Sequence, residues 1–160
     1  PQYIAHKKAE AYQANGNDLV ITADTLVIVD DEILGKPKDA ADANRMLKLI
    51  SGRKHQVVTG VCMMSSYCHR AFSVVTDVAF KTLSDEEIDY YVSHYKPFDK
   101  AGAYGIQEWI GYIGVTSLHG SYFNVMGLPV QRIYQELVDS FGVQKKKKRR
   151  AFLYIECGFY

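Results

Sequence analysis

One long apolar segment constrains the fold of this chain more than any other feature. Residues 19–29 read Leu-Val-Ile-Thr-Ala-Asp-Thr-Leu-Val-Ile-Val, and almost all of them are apolar or β-branched. A segment of this kind between two turn sequences is typical of a strand that is buried on both faces of a sheet. We therefore predict a central strand here, either continuous or as two segments that bend near Asp24.

Periodic patterns elsewhere predict helices and further strands around this central strand. Helices are expected over 1–14, from Asp39 to Ile50, behind the capping box at 84–87 and from Pro129 onward, and strands over 56–64 and 70–81. The last helix has the clearest apolar stripe, namely Val130, Ile133, Tyr134, Leu137, Val138 and Phe141. Because helices and strands are mixed, the predicted class is α/β or α+β with a central sheet.

Length and charge exclude several classes of protein. A chain of 160 residues has room for one domain with a substantial core. No apolar run approaches the roughly 18 residues of a membrane span, so no membrane role is expected. Lys and Arg fill positions 145–150, and without residues 143–160 the chain has 13 basic and 17 acidic residues. A nucleic-acid surface along the whole chain is therefore not expected, and the basic block is typical of a solvated tail.

Asp24 is the residue of the central strand that needs a physical explanation. A carboxylate inside an apolar strand costs several kcal/mol to desolvate unless a charged or hydrogen-bonding partner compensates. One interpretation is a structural Asp that accepts backbone or Thr hydrogen bonds. The other is a metal ligand or general base at the end of a sheet strand, where α/β sites tend to lie. Neighbouring Thr25 could place a hydroxyl in the same cleft.

Four isolated cations next to turns or on the first helix form the second candidate feature. They are Lys8, Lys36, Arg53 and Lys100. Each one alone is typical of a solvated surface charge. If they converged on Asp24 they would form a cradle for a polyphosphate, with Mg²⁺ bridging the phosphates to the carboxylate. Their spacing in the sequence leaves both interpretations open.

Several familiar catalytic and metal motifs are missing from the sequence. Residues 35–37 are not a P-loop, because the upstream glycine is absent and Pro37 replaces the hydroxyl residue that holds the metal. Ser51 and Ser121 lack a nucleophile elbow. His55 could act as a base, but a lone histidine beside the start of a strand is more often structural. The remaining histidines, His6, His69, His94 and His119, show no metal-ligand spacing. Cys62, Cys68 and Cys157 form no CxxC pair, so reduced thiols and no zinc site are expected.

Six blocks of sequence, taken in order, identify a family resemblance. They are TADTLV (22–27), ILGKP with ANRML (33–37 and 43–47), SGRKHQVVTGV (51–61), FKTLS (80–84), DKAGAYGIQ (99–107) and GSYFNVMGLP (120–129). This order resembles the Maf family of septum-formation-inhibitor-like proteins, which belongs with the inosine triphosphate pyrophosphatases. The resemblance covers residues 1–142, and residues 143–160 form an atypical basic tail.

The resemblance implies a fold and an activity. The fold is α/β, with an elongated, twisted, mixed β-sheet flanked by helices and a central nucleotide cleft. The activity is that of a cytoplasmic nucleoside triphosphate pyrophosphatase, which uses Mg²⁺ or Mn²⁺ and attacks with water between the α- and β-phosphates. The products are the monophosphate and pyrophosphate, and a homodimer is expected from the same resemblance.

The resemblance also implies roles for individual residues. Asp24 matches the family's proton acceptor, which helps to hold the divalent metal. Lys8, Lys36, Arg53 and Lys100 match positions that line the triphosphate. Thr25 and Gln107 match positions associated with base selection in the subgroup that acts on dTTP, UTP and modified pyrimidine nucleotides. The subgroup that acts on 7-methyl-GTP departs from Asp-Thr at the first of these positions.

The chain departs from the family pattern at both ends. Family members begin with a strand and a Ser-x-Ser-Pro-Arg-Arg phosphate loop, followed by an acidic residue that contributes to metal binding, and this sequence starts after them. We therefore expect weak or no turnover from the chain as written. The alternative function is a nucleotide-binding or regulatory module that performs no catalysis.

Overall fold

The computed structural model describes residues 1–12 and 16–143, together with the backbone of Leu153–Glu156. The elements in chain order are α1 (Gln2–Glu10), β1 (Leu19–Val29), β2 (Glu32–Leu34), α2 (Ala40–Ile50), β3 (Lys54–Met64), β4 (His69–Phe80), α3 (Asp85–Tyr95), a 3₁₀ turn (Ala101–Ala103), α4 (Trp109–Gly114), β5 (Val115–His119), α5 (Tyr122–Val125), α6 (Val130–Asp139) and β6 (Leu153–Glu156). The basic block at 145–150, Cys157 and the predicted end of the first helix at Ala14 lie outside the described residues.

The strands form one sheet with β1 near its centre. Five strands pair antiparallel in the order β2-β1-β3-β4-β5, and β6 pairs in parallel with Leu19–Thr22 of β1. The predicted α/β class with a mixed sheet is confirmed. The predicted strand over 19–29 is also confirmed and runs through Asp24 without interruption. Asp24 lies opposite Gly60 of β3, and Thr25 lies opposite Thr59.

Helices cover both faces of this sheet, as the apolar central strand requires. One core contains Val27 and Val29 of β1 with the buried faces of α2 and α3, including Leu47 and Tyr91. A second core on the same face of β1 contains Ile21 and Ala23 with residues of α6 and Phe141. On the opposite face, Ala5 and Ala9 of α1 pack with Val20. Each fully buried aliphatic side chain contributes about 1.5–3 kcal/mol of transfer free energy, so both cores stabilise the position of β1. None of the described helices has the length and apolar character needed to cross a membrane.

Two predicted helices differ from the structure in detail. The first ends at Glu10, with Ala11 as its C-cap. The predicted stripe of α6 is only partly buried, because Ile133 and Phe141 are covered while Val130, Tyr134 and Val138 are exposed. The helix after Ser84 begins as predicted, since Ser84 Oγ accepts from the Glu87 amide and the Glu87 carboxylate accepts from the Ser84 amide.

Candidate active site

A cleft opens along the edge of β1 at Ala23–Leu26. On this edge of β1, β6 pairs with Leu19–Thr22 and β2 pairs with Val27–Val29. Neither of these two strands pairs with the residues between, Ala23–Leu26. The cleft contains about 700 Å³ of space that protein atoms do not fill, and this volume includes open solvent. Six of the seven predicted site residues line it, namely Lys8, Asp24, Thr25, Lys36, Lys100 and Gln107. The fold therefore brings together residues that are far apart in the sequence.

Asp24 is a partly buried carboxylate with a cationic partner. Side chains alternate between the two faces of a strand, so Thr22 and Asp24 both point towards α1. Thr22 Oγ1 donates to the Ala5 carbonyl over 2.6 Å, which ties α1 to β1. One helical turn further on, Lys8 Nζ lies 3.1 Å from Asp24 Oδ1 and 3.2 Å from the Ala23 carbonyl oxygen. This ion pair offsets the desolvation of a carboxylate that is 18% exposed.

Lys100 is the most buried cation of the cleft, with 15% of its side chain exposed. Its Nζ lies 3.1 Å from Asp99 Oδ1 and 3.2 Å from Glu108 Oε1. Burial lowers the pKa of Lys100, but the two carboxylates outweigh this effect and the pKa is raised overall. The Tyr91 hydroxyl donates to Glu108 and accepts from the Gly105 amide, which fixes the segment around Lys100. Lys100 is therefore held in its cationic form.

The loop of Lys36 is joined to the loop of Lys100. The Gly102 amide donates to the Gly35 carbonyl over 3.0 Å. Gly102 has a φ of 68°, and a Cβ there would lie 2.8 Å from Val27 Cγ2. A side chain at position 102 would therefore meet both backbone strain and a clash with β1. The glycine allows the two cation-bearing loops to approach β1 from the same side.

Thr25 and Gln107 lie in the cleft on different elements. The Thr25 and Thr59 hydroxyls are 2.9 Å apart, and Thr59 Oγ1 donates to the Asn124 carbonyl. This chain of hydroxyls fixes the orientation of Thr25 from the β3 side. Gln107 follows the buried Ile106, and its carbonyl accepts from the Tyr112 hydroxyl. Thr25 is thus positioned through its side chain, and Gln107 is positioned through its backbone carbonyl.

Arg53 is the predicted site residue that the fold does not bring into the cleft. Its Nη1 lies 2.9 Å from Asp30 Oδ2, and the two side chains are 52% and 75% exposed. An ion pair at this exposure contributes roughly 0–1 kcal/mol, so it would not hold the guanidinium firmly in place. A role for Arg53 in substrate binding stays a prediction.

His55 is a buried structural residue, as its isolated position in the sequence suggested. Its Nε2 lies 2.7 Å from the Tyr104 hydroxyl, and burial lowers its pKa to about 4. The imidazole is therefore neutral at pH 7 and contacts the back of Tyr104, which lines the cleft. These contacts give His55 a packing role.

Lowering the pH from about 7.5 to about 5 should reduce the free energy of unfolding by about 2 kcal/mol through His55 alone. The unfolded state protonates this imidazole near its ordinary pKa of 6.5, whereas the folded state resists protonation down to about 4. The unfolded state thus binds more protons in this window, and stability falls as the pH falls. Urea unfolding at a series of pH values measures the slope, which should flatten in His55→Gln and persist in His119→Gln.

The oxygen atoms of the cleft are compatible with a hard divalent cation. Asp24 and Asp99 both line it, and Mg²⁺ prefers oxygen ligands. Mg²⁺ is commonly held by one or two carboxylates together with substrate phosphates, and it does not need a complete cage of protein ligands. The sequence alone points to Asp24, whereas Asp99 and Glu108 become candidates only through their contacts with Lys100. The signal for these two acids was their position directly beside Lys100 and Gln107.

Comparison with known proteins gives two consistent findings. The family model described as Maf-like protein matches residues 1–140. A Porphyromonas gingivalis (strain ATCC 33277) protein named dTTP/UTP pyrophosphatase is 59% identical over 143 residues, which cover 87% of this chain and 72% of that protein. Proteins of the same name from Phocaeicola vulgatus and Flavobacterium psychrophilum are 59% and 50% identical over 139 residues, covering 86% of this chain and 72% and 71% of theirs.

Proposed function

Since the chain belongs to the Maf family, we propose that it hydrolyses dTTP and UTP to the monophosphate and pyrophosphate. The observation that carries this proposal is one carboxylate, Asp24, in the same open cleft as Lys8, Lys36 and Lys100. A triphosphate needs several cations and a hydrolytic water needs a proton acceptor, and the cleft offers both kinds of group. The names of the relatives support the choice of pyrimidine nucleotides.

In the proposed reaction, Asp24 accepts a proton from the water that attacks between the α- and β-phosphates. Lys8 lies 3.1 Å from Asp24 and pairs with this carboxylate until the substrate arrives. The ammonium groups of Lys8, Lys36 and Lys100 bind phosphate oxygens and stabilise the negative charge that grows on the leaving pyrophosphate. Asp99 and Glu108 hold Lys100 at its place in the cleft.

Asp24 is also the residue that would hold a divalent cation, with Asp99 as the second carboxylate of the lining. Mg²⁺ or Mn²⁺ bound there would neutralise phosphate charge and lower the barrier to attack by water. Lys8 would then exchange part of its contact with Asp24 for a contact with phosphate.

Base selection is proposed to involve Thr25 and Gln107. The Gln107 amide can both donate and accept a hydrogen bond. Uracil and thymine present one N–H donor beside carbonyl acceptors, so a single amide can pair with either base. The apolar side chains of Val57, Val125 and Met126 also line the cleft and could contact the face of a pyrimidine ring.

A substrate screen with detection of both products tests the proposed function. The purified chain is incubated with dTTP, UTP, CTP, ATP, GTP and 7-methyl-GTP in the presence of Mg²⁺ or Mn²⁺. Even where the absolute turnover is weak, we expect monophosphate and pyrophosphate from dTTP and UTP at rates at least about tenfold above the other substrates, the ratio that about 1.4 kcal/mol of selective binding supplies.

Three other outcomes of the screen would contradict the proposal. Release of orthophosphate would indicate cleavage at a different bond. Equal rates with purine nucleotides would remove the assigned base selection. Nucleotide binding without any pyrophosphate release would support the regulatory module instead of the enzyme.

A further inference from the structure

A second group of reactive side chains lies where α1 meets β3 and β4, outside the lining of the cleft. It consists of His6 on α1, Cys62 on β3 and His69 at the start of β4, and we call it the His-Cys-His cluster. Cys62 Sγ lies 3.8 Å from His6 Nδ1 and 3.3 Å from His69 Nε2. Among the described residues, no other group of three or more His, Cys, Asp or Glu residues has its ligand atoms within 4.8 Å of one another.

The spacing of these atoms matches the coordination shell of a small cation. Zn²⁺ binds sulfur at about 2.3 Å and nitrogen at about 2.0–2.1 Å, and tetrahedral angles then place ligand atoms roughly 3.3–3.6 Å apart. Of the two sulfur–nitrogen distances in the cluster, 3.3 Å lies at the lower limit of this range and 3.8 Å lies slightly above it. Small side-chain rotations would bring all three atoms to coordination distance.

The outer nitrogen of His6 provides an independent observation. While Nδ1 faces Cys62, Nε2 lies 3.2 Å from Glu10 Oε1, one helical turn further along α1. A histidine that ligates a metal usually donates its other N–H to a carboxylate, which fixes the tautomer and raises the basicity of the ligand. Glu10 is already placed to accept that hydrogen bond.

We propose that the His-Cys-His cluster is a zinc site with a fourth coordination position open to solvent. One sulfur and two imidazole ligands favour Zn²⁺ over Mg²⁺, so this site is chemically distinct from the oxygen-lined cleft. His69 is exposed and offers a path for entry, whereas Cys62 is fully buried. The proposal reverses the expectation drawn from sequence spacing, because the three ligands come from three separate elements.

The role of this site is to fasten α1 to the sheet. This helix has nine residues, and the side chains it buries are the small Ala5 and Ala9, so apolar packing contributes little to its position. An ion bound by His6, Cys62 and His69 would cross-link α1 to both β3 and β4. Since Lys8 is two residues from His6 on the same helix, the site would also support the Lys8–Asp24 pair.

Cobalt binding tests the site without relying on nucleotide turnover. Tag-free, reduced protein is titrated with Co²⁺, which reports tetrahedral coordination by visible absorption and thiolate ligation by a near-ultraviolet charge-transfer band. We expect one Co²⁺ per chain with both signals, and their loss when Zn²⁺ displaces the probe. The charge-transfer band should disappear in Cys62→Ala, and visible absorption should drop in His69→Ala. Glu10→Gln should weaken binding by about tenfold.

Matched variants separate this site from adventitious binding. Cys68→Ala and His94→Ala change the same residue types outside the cluster and should keep both signals. Zn²⁺ should raise the melting temperature of the unmodified chain but not that of His69→Ala. That substitution removes an exposed ligand and should leave the fold intact, which circular dichroism can verify. Absence of the Co²⁺ signals from the unmodified chain would overturn the proposal, as would their survival in both Cys62→Ala and His69→Ala.

Discussion

Replacing Asp24 with asparagine should lower kcat for dTTP hydrolysis by about 10³-fold, because a positioned general base contributes roughly 10²–10⁴ to rate. Asparagine has nearly the same shape and still accepts a hydrogen bond from Lys8, but it cannot take a proton at neutral pH. It also removes the negative charge proposed to hold the divalent cation. The effect should therefore fall on kcat, and nucleotide binding without metal should be retained or strengthened as Lys8 loses its anionic partner.

Pyrophosphate release under single-turnover conditions measures this loss, and equilibrium binding of a non-hydrolysable dTTP analogue measures affinity. Asp77→Asn is the matched control, since Asp77 is also a strand carboxylate but lies on the exposed side of β4 and contacts Gln56. If Asp24→Asn kept more than about a tenth of the rate, Asp24 would not be the proton acceptor, given the size of the effect expected of a general base.

The central part of the fold was predictable because one strand is buried on both faces. The segment 19–29 contains almost only residues suited to a buried strand, and its predicted limits are those of β1. The exposed half of the α6 stripe was not predictable in the same way. Periodicity indicates which side of a helix is apolar, but it does not indicate how much of that side another element covers, and Val130, Tyr134 and Val138 stay exposed. The homodimer that the family resemblance implies also stays a prediction.

The candidate site was only partly predictable, for a related reason. Asp24 was identifiable because an isolated carboxylate in an apolar strand needs compensation. Lys8 approaches Asp24 because α1 crosses over β1, and Lys100 approaches the cleft because the chain turns at Gly102. No local sequence pattern encodes either arrangement. The placement of Arg53 was not predictable either, since its sequence neighbourhood resembles that of the other cations while its side chain contacts Asp30.

Replacing Gly60 with alanine should displace α1, with losses of both stability and turnover. A Cβ at position 60 would lie 2.3 Å from the Gln2 amide nitrogen and 2.5 Å from the Pro1 carbonyl carbon. These are backbone atoms that no rotamer change can move, so overpacking should cost up to about 3 kcal/mol. The gain from removing a glycine within a strand is about 0.5–1 kcal/mol, too small to reverse the sign.

The functional consequence follows from what α1 carries. Gly60 is the partner of Asp24 in the β1–β3 register, and Lys8 reaches Asp24 from the helix that starts directly above Gly60. Misplacement of a binding group by about 1 Å can cost about 10²-fold in rate, and we expect a loss of this order in kcat/KM for dTTP. Urea unfolding and pyrophosphate release measure the two effects. Gly16→Ala, where an added Cβ meets no atom within 4 Å, should change neither. Unaltered turnover in a folded Gly60→Ala protein would mean that the position of α1 does not govern the cleft.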